Sequence, residues 1–275
     1  MYGTVLAEVG DTVNATAALK KAIGMCPDEG HEKYMYLSQL VEGDEAIGYS
    51  KKGIEVLRKA VLEEADPVSR EELGGQLCQA ICSLVETMLS SKGADAIAEE
   101  ATSLLLEAGK HQPQSPEPLQ VLASLRVEQG KVEEARQALG KSLEFWLRRG
   151  VGEGEDGMDV DDDDLADASS QQPPLPSFEF RFETAKLIME LEESAEKAID
   201  ILDSLLEEND ANLDVWFLLT LAHQGMGQLE EAAGCLDHIE QALSSFPEDS
   251  IEKQNLNTLR SDLDRIKQEM QEQTK

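Results

Sequence analysis

Apolar and small residues recur every three or four positions along most of this chain. The stretches are separated by short breaks rich in Gly, Asp, Asn and Pro, a pattern that predicts amphipathic helices joined by tight turns. Alanines set the clearest register. Ala198 and Ala232 stand 34 residues apart, each with a leucine one helical turn on, Leu202 and Leu236. Ala135 with Leu139, Ala101 with Leu105, and Ala15 with Leu19 repeat the pair upstream. A second helix precedes several of these, marked by Leu119, Leu122 and Ala123, by Phe182, Ala185 and Met189, and by Trp216 and Leu219. Small residues where two helices cross let the axes approach, and the large neighbours fill the seam.

A period of about 34 residues built from paired helices is the signature of tetratricopeptide repeats, which stack into a solenoid with a concave binding face. The expected fold class is therefore all-α: a tetratricopeptide-repeat superhelix (α-solenoid) of about six helix pairs with a C-terminal capping helix. Twelve or thirteen helices and no sheet follow. The first repeat carries Gly3, Leu6, Ala15, Leu19, Ala22 and Pro27, and its first helix would start upstream of Met1. Solenoid ends need polar caps, so an exposed apolar edge is expected there. The second repeat is Tyr34, Leu37, Ser38 and Val41, then Ser50, Ile54 and Leu57. The third holds Leu73 and Gly74 in a long first helix, then Ala101, Leu105, Ala108 and Pro113, with a loop expected at Ser90–Gly93.

From Ala135 to Ala198 the spacing is one period plus an insertion. Gly150 to Pro176 supplies it, with acidic residues, no basic one and Pro-rich punctuation. Such composition cannot bury enough apolar surface to order itself, which predicts a disordered acidic loop. The domain reading is repeats over 1–149, the acidic loop over 150–176, repeats over 177–247, and a capping helix with tail over 248–275. Ile251, Leu256, Leu259, Leu263 and Ile266 form the predicted buried stripe of that cap.

Composition narrows the function. Of 275 residues 41% are apolar but only 4% aromatic, which suits Ala- and Leu-lined helix pairs better than a sandwich or barrel. No apolar run is long enough to span a membrane, and the N-terminus lacks the basic and apolar regions of a secretory signal. Cys26, Cys78, Cys82 and Cys235 fall at core-like helical positions without a CxxC motif, which reads as a reduced, intracellular chain. The 56 acidic against 24 basic side chains leave a net charge of −32, a field that repels nucleic acid and anionic lipid and attracts basic polypeptide.

Little suggests catalysis. Cys78 and Cys82 share a helix face, as do Cys235 and His238, but the sequence supplies no second ligand pair, so no metal and no cofactor are expected. His31, His111, His223 and His238 are scattered without a grouped nucleophile and carboxylate. Asp161, Asp162, Asp163 and Asp164 lack the alternating ligands and turn glycine of a calcium loop. The candidate site is instead a concave groove. Its candidate partner-binding residues are Glu32, Tyr34, Glu42, Glu117, Gln120, Glu128, Glu179, Glu183, Glu190, Asp214 and Phe217, with Asp161–Asp164 adding nonspecific attraction. No lysine stands where carboxylate-clamp repeats place one: Gln120, Glu183, Phe217, Ser124, Leu187 and Leu221 occupy those positions.

The run EGHEKYMYLSQLVEGDEAIGYSKKGIEVL (Glu29–Leu57) resembles the second-repeat region of the eukaryotic assembly chaperones dedicated to large-subunit ribosomal protein four. The run from Pro176 to Leu219 is similar to the segment that follows the acidic loop in that family. The likeness extends over most of Ala15–Leu243; Ser38 departs from an expected glycine, and the start of the first helix is missing. The resemblance implies a non-catalytic chaperone. It would capture a newly made basic ribosomal protein through its long internal loop, one to one, shield it from RNA, and accompany it from cytoplasm to nuclear pre-ribosomes. No direct nucleic-acid contact and no membrane are implied. A repeat scaffold for another basic client, such as a histone or a different ribosomal protein, or a subunit of a larger assembly, remains the alternative.

Overall fold

The structure is a computed structural model that describes residues 2–147, 175–245, 247 and 250–273; the side chains of 245, 252, 263 and 266–273 fall outside the description. Thirteen α-helices and no strand occur among the described residues. Two compact units divide at Pro173/Pro174.

The first unit contains α1 (Tyr2–Glu8), α2 (Thr12–Met25), α3 (Glu32–Gln39), α4 (Gly43–Glu63), α5 (Pro67–Lys92), α6 (Ala94–His111), α7 (Glu117–Glu128) and α8 (Val132–Glu144). Successive helices pack as hairpins, and first helices also touch the next first helix, α1 on α3 and α5 on α7. Asp66 starts α5 by accepting a 2.9 Å hydrogen bond from the Ser69 amide, with Pro67 at the first helical position. The long first helix of the third repeat is confirmed, but the expected loop at Ser90–Gly93 contracts to Gly93 alone. Helix α5 runs to Lys92, and Gly93 turns the chain at φ 79° straight into α6. Ile54, Leu57, Leu77, Ile81, Leu84 and Met88 are completely buried and centre this unit's core.

The second unit contains α9 (Phe178–Glu190), α10 (Ala195–Glu208), α11 (Leu213–Gly225), α12 (Leu229–Ala242), a short 3-10 turn at Leu243–Ser245, and α13 (Ile251–Gln273). Ala185, Ala198 and Ala232 are fully buried, as the alanine register requires. The capping helix packs on α12 through Leu256 and Leu259, but Ile251 is 71% exposed, so the buried stripe begins one turn later than the periodicity predicts. Leu263 and Ile266 lie outside the described side chains, and the acidic loop, with Asp161–Asp164, lies outside the described residues. The expected apolar edge is present at the first hairpin, where Tyr2, Val5, Val9 and Val13 are exposed. Among these helices none is long and apolar enough to cross a membrane.

One turn motif recurs. At the ends of α7 and α11, Gly130 and Gly227 adopt φ of 69° and 74°, and the following amides, Lys131 and Gln228, bond back to Arg126 and His223 at 2.9 Å. This is a left-handed helix stop, for which glycine carries no Cβ penalty. The α9 stop has the same bonds, with the Glu193 amide reaching the Ile188 carbonyl at 3.0 Å, yet its left-handed residue is Glu192 at φ 52°. A side chain there costs roughly 1–2 kcal/mol, partly offset by the freedom glycine gains when unfolded. Glu192→Gly is therefore expected to stabilise the chain by about 0.5–1 kcal/mol, read as a raised urea midpoint with an unchanged slope.

Candidate functional site

Ser177 accepts a hydrogen bond from the Phe180 amide and so fixes the first turn of α9. From that start, Phe178, Glu179, Phe182 and Glu183 fall on one strip of the helix, one turn apart in pairs. Across from them, Asn212 caps α11, its side-chain oxygen accepting from the Asp214 amide at 3.0 Å and the Val215 amide at 3.3 Å. The intervening turn is held by the Ala211 amide donating to Asn209 Oδ1 at 3.2 Å and by Trp216 Nε1 donating to the Asp210 carbonyl at 2.7 Å. Phe178, Glu179, Phe182, Glu183, Asn209, Asn212 and Asp214 together line an open cavity of about 360 Å³. Three predicted groove acids, Glu179, Glu183 and Asp214, thus meet on two adjacent first helices, beside two phenylalanine rings.

Two of the lining residues already engage a cation on their own helix. Lys186 Nζ lies 2.8 Å from Glu183 and 5.8 Å from the centre of the Phe182 ring, combining an ion pair with a cation–π contact. Both Lys186 and Glu183 are about half exposed, so the pair is weak and exchangeable.

The remaining candidates are dispersed or occupied. Glu42, Glu128 and Glu190 are exposed, and the structure does not bring them to the pocket. Glu32 is exposed and lines a different cavity, of about 730 Å³, between α1, α2 and α3, with Lys21, Lys33 and Tyr36. Tyr34 is a correction: it is 3% exposed and donates to the Pro27 carbonyl at 2.7 Å, so it holds the α2–α3 turn and presents nothing to a partner. Gln120 is likewise buried, and Phe217 packs against the core formed by α12 and α13. Glu117 is shielded rather than solvated. Burial and the nearby charge of Glu86 push its carboxyl up to about 7, and its carboxylate faces Cys78 and Cys82. Cys26, read as a core thiol, is exposed at the end of α2, whereas Cys78, Cys82 and Cys235 are buried. His238 stacks on Trp216 with ring centres 4.0 Å apart.

Sequence reasoning missed three contributors. Phe178 opens α9, Asn209 closes α10 and Asn212 caps α11, and none carries a repeat signal, although an Asn just before LDVWF is a recognisable cap. It also missed Arg181, 3% exposed, whose guanidinium grips Glu208 at 2.7 and 2.8 Å and the Pro176 carbonyl at 3.0 Å. That anchor places the first turn of α9, and with it the pocket.

Paired helices with buried alanines at their crossings, stacked first helix to first helix, define an all-α protein of the tetratricopeptide-repeat class, and the pocket sits on its first-helix layer. No family model matches the chain. It is 30% identical over 246 residues to a probable assembly chaperone of rpl4 from Schizosaccharomyces pombe, covering 84% of this chain and 67% of that one. A second probable assembly chaperone of rpl4, from Emericella nidulans, is 29% identical over 205 residues, covering 74% of this chain and 46% of the relative. The solved assembly chaperone of RpL4 (Acl4), residues 1–338, superposes with a TM-score of 0.67 and 25% identity over 84% of this chain and 83% of that one. PilF of Pseudomonas aeruginosa, at TM-score 0.51 and 17% identity, shares the fold alone. The chain belongs to the family of assembly chaperones of rpl4.

Proposed function

We propose that this chain is a dedicated, non-catalytic chaperone that binds newly made large-subunit ribosomal protein four through an extended basic segment. It would shield the client for delivery to pre-ribosomes, acting as a monomer in a one-to-one complex and moving between cytoplasm and nucleus. The observation that carries the reading is the α9–α11 pocket, where Glu179, Glu183 and Asp214 converge beside Phe178 and Phe182. Carboxylates supply charge-assisted bonds to lysine or arginine, and the rings stack on a guanidinium or the lysine stem. The net charge of −32 supports the same partner at longer range by steering a basic chain toward the protein. Release follows naturally when rRNA phosphates compete for the same basic side chains.

The test is calorimetric titration with the basic internal loop of the ribosomal protein at low and at physiological salt. Saturable one-to-one binding that weakens with salt but persists, and that a histone tail of equal charge does not match, supports the reading. Equal binding of both ligands, lost at moderate salt, refutes it in favour of a general acidic surface. A smaller effect is expected at Lys186, whose amine pairs with the pocket residue Glu183. Lys186→Ala should tighten the loop about two- to threefold, because an exposed ion pair of roughly 0.5 kcal/mol no longer competes.

A further inference from the structure

We propose that Cys78, Cys82 and Glu117 form a binding site for a thiophilic divalent cation of the zinc class, joining helix α5 to helix α7. The ligand atoms, two thiol sulfurs and a carboxylate oxygen, all lie within 4.8 Å of one another. Tetrahedral zinc with Zn–S of about 2.3 Å and Zn–O of about 2.0 Å needs ligands roughly 3.5–3.8 Å apart, so a side-chain contraction of about 1 Å completes three corners. The backbone supplies this placement without strain. Cys78 and Cys82 are one turn apart on α5, and Glu117 stands in the first turn of α7, which packs on α5.

The surroundings are those of a metal site more than of an ordinary core. A seam of buried thiols would normally be closed by an apolar residue, yet here a carboxylate faces it and accepts no hydrogen bond from a described residue. A carboxylate held against two buried thiols is partly desolvated, and a cation between them would offset that cost. Glu86 follows Cys82 by one more turn on α5, and its charge adds to the burial that raises the Glu117 carboxyl. The Ser115 hydroxyl accepts from the Glu117 amide at 3.4 Å, an outer contact that helps place the first turn of α7. The thiols are 2% and 0% exposed, while Glu117 is only partly buried, so a cation would enter from the Glu117 side and take its fourth ligand from solvent. Three protein ligands from adjacent repeats would clamp the third repeat to the fourth, where the long α5 departs from the standard hairpin length. Loading exchanges ionisable protons for metal: each thiol, and the Glu117 carboxyl where it is protonated, releases its proton to solvent as its bond to the metal forms.

The experiment uses the full chain in a Cys26→Ser background, so that the exposed thiol cannot contribute, stripped with chelator and titrated with Co(II) without oxygen. One equivalent is expected to produce thiolate-to-cobalt charge-transfer absorption and the strong visible bands of a four-coordinate ion, both bleached by Zn(II). Glu117→Gln, in which the packing volume is kept, should retain native circular dichroism and bind cobalt at least tenfold more weakly, and zinc should raise the melting temperature of the parent more than that of this variant. Absence of the charge-transfer band in the parent, or an undiminished band in Cys78→Ala/Cys82→Ala, overturns the proposal and leaves two core thiols beside a buried acid.

Discussion

Arg181→Ala is expected to lower stability by about 3 kcal/mol, the largest loss from any single charged side chain among the described residues. A pair that is desolvated on both sides costs roughly 3–5 kcal/mol when one partner is removed. Arg181 is 3% exposed but Glu208 is about half exposed, so the orphaned carboxylate recovers part of its hydration and the loss sits at the lower end of that range. The variant also frees the Pro176 carbonyl and leaves space where the arginine stem lay against α10. Arg181→Met separates these contributions. It keeps the stem and gives up the hydrogen bonds, so about half the loss is expected. By comparison, Lys186→Ala should move stability by less than about 0.5 kcal/mol, because that pair is exposed on both sides. Urea denaturation of the three variants measures the ordering; equal midpoints for Arg181→Ala and Lys186→Ala would show that the guanidinium contributes no more than a surface charge.

The contrast between Arg181 and the alanine register explains what the sequence reveals and what it hides. Ala198, Leu202, Ala232 and Leu236 are legible because helix pairing is local and repeats: each position meets its partner at a fixed offset within one hairpin. Arg181 meets Glu208 on the neighbouring helix, and nothing in the FEFRF run distinguishes a buried arginine from a solvated one. Glu117 fails for a related reason. A repeat position indicates the direction in which a side chain leaves its own helix, but the unusually long α5 decides what stands opposite, and it presents two thiols. Repeat position places Tyr34 on the groove face, but its hydroxyl turns back to close the α2–α3 loop. The sequence places eight acids on one face without ranking them; that Glu179, Glu183 and Asp214 share a cavity depends on how α9 and α11 pack, which repeat position alone does not supply.

Reversing those three charges, in Glu179→Lys/Glu183→Lys/Asp214→Lys, is expected to weaken binding of the ribosomal protein's basic loop roughly a hundredfold. Each exposed carboxylate contributes on the order of 1 kcal/mol to a charge-assisted contact, and the three together give about 3 kcal/mol, or two decades in affinity. Fold should survive, because the positions are solvent-facing and the helix starts are set by Ser177 and Asn212 rather than by the acids. Phe182→Ala adds an independent arm: loss of the ring should cost about 1 kcal/mol and leave the salt dependence unchanged, since no charge is removed. Deleting residues 150–172 should behave differently. Nine acids depart with that segment, so long-range steering falls and association slows, but a shaped pocket keeps its dissociation rate and affinity drops by only about threefold. Stopped-flow rates with calorimetry separate the two mechanisms. If the deletion abolishes binding and the triple reversal barely alters it, recognition lies in diffuse charge and the α9–α11 pocket has no role in it. If the reversal acts mainly on dissociation and the deletion mainly on association, the acids of the pocket read the client and the acidic segment only gathers it.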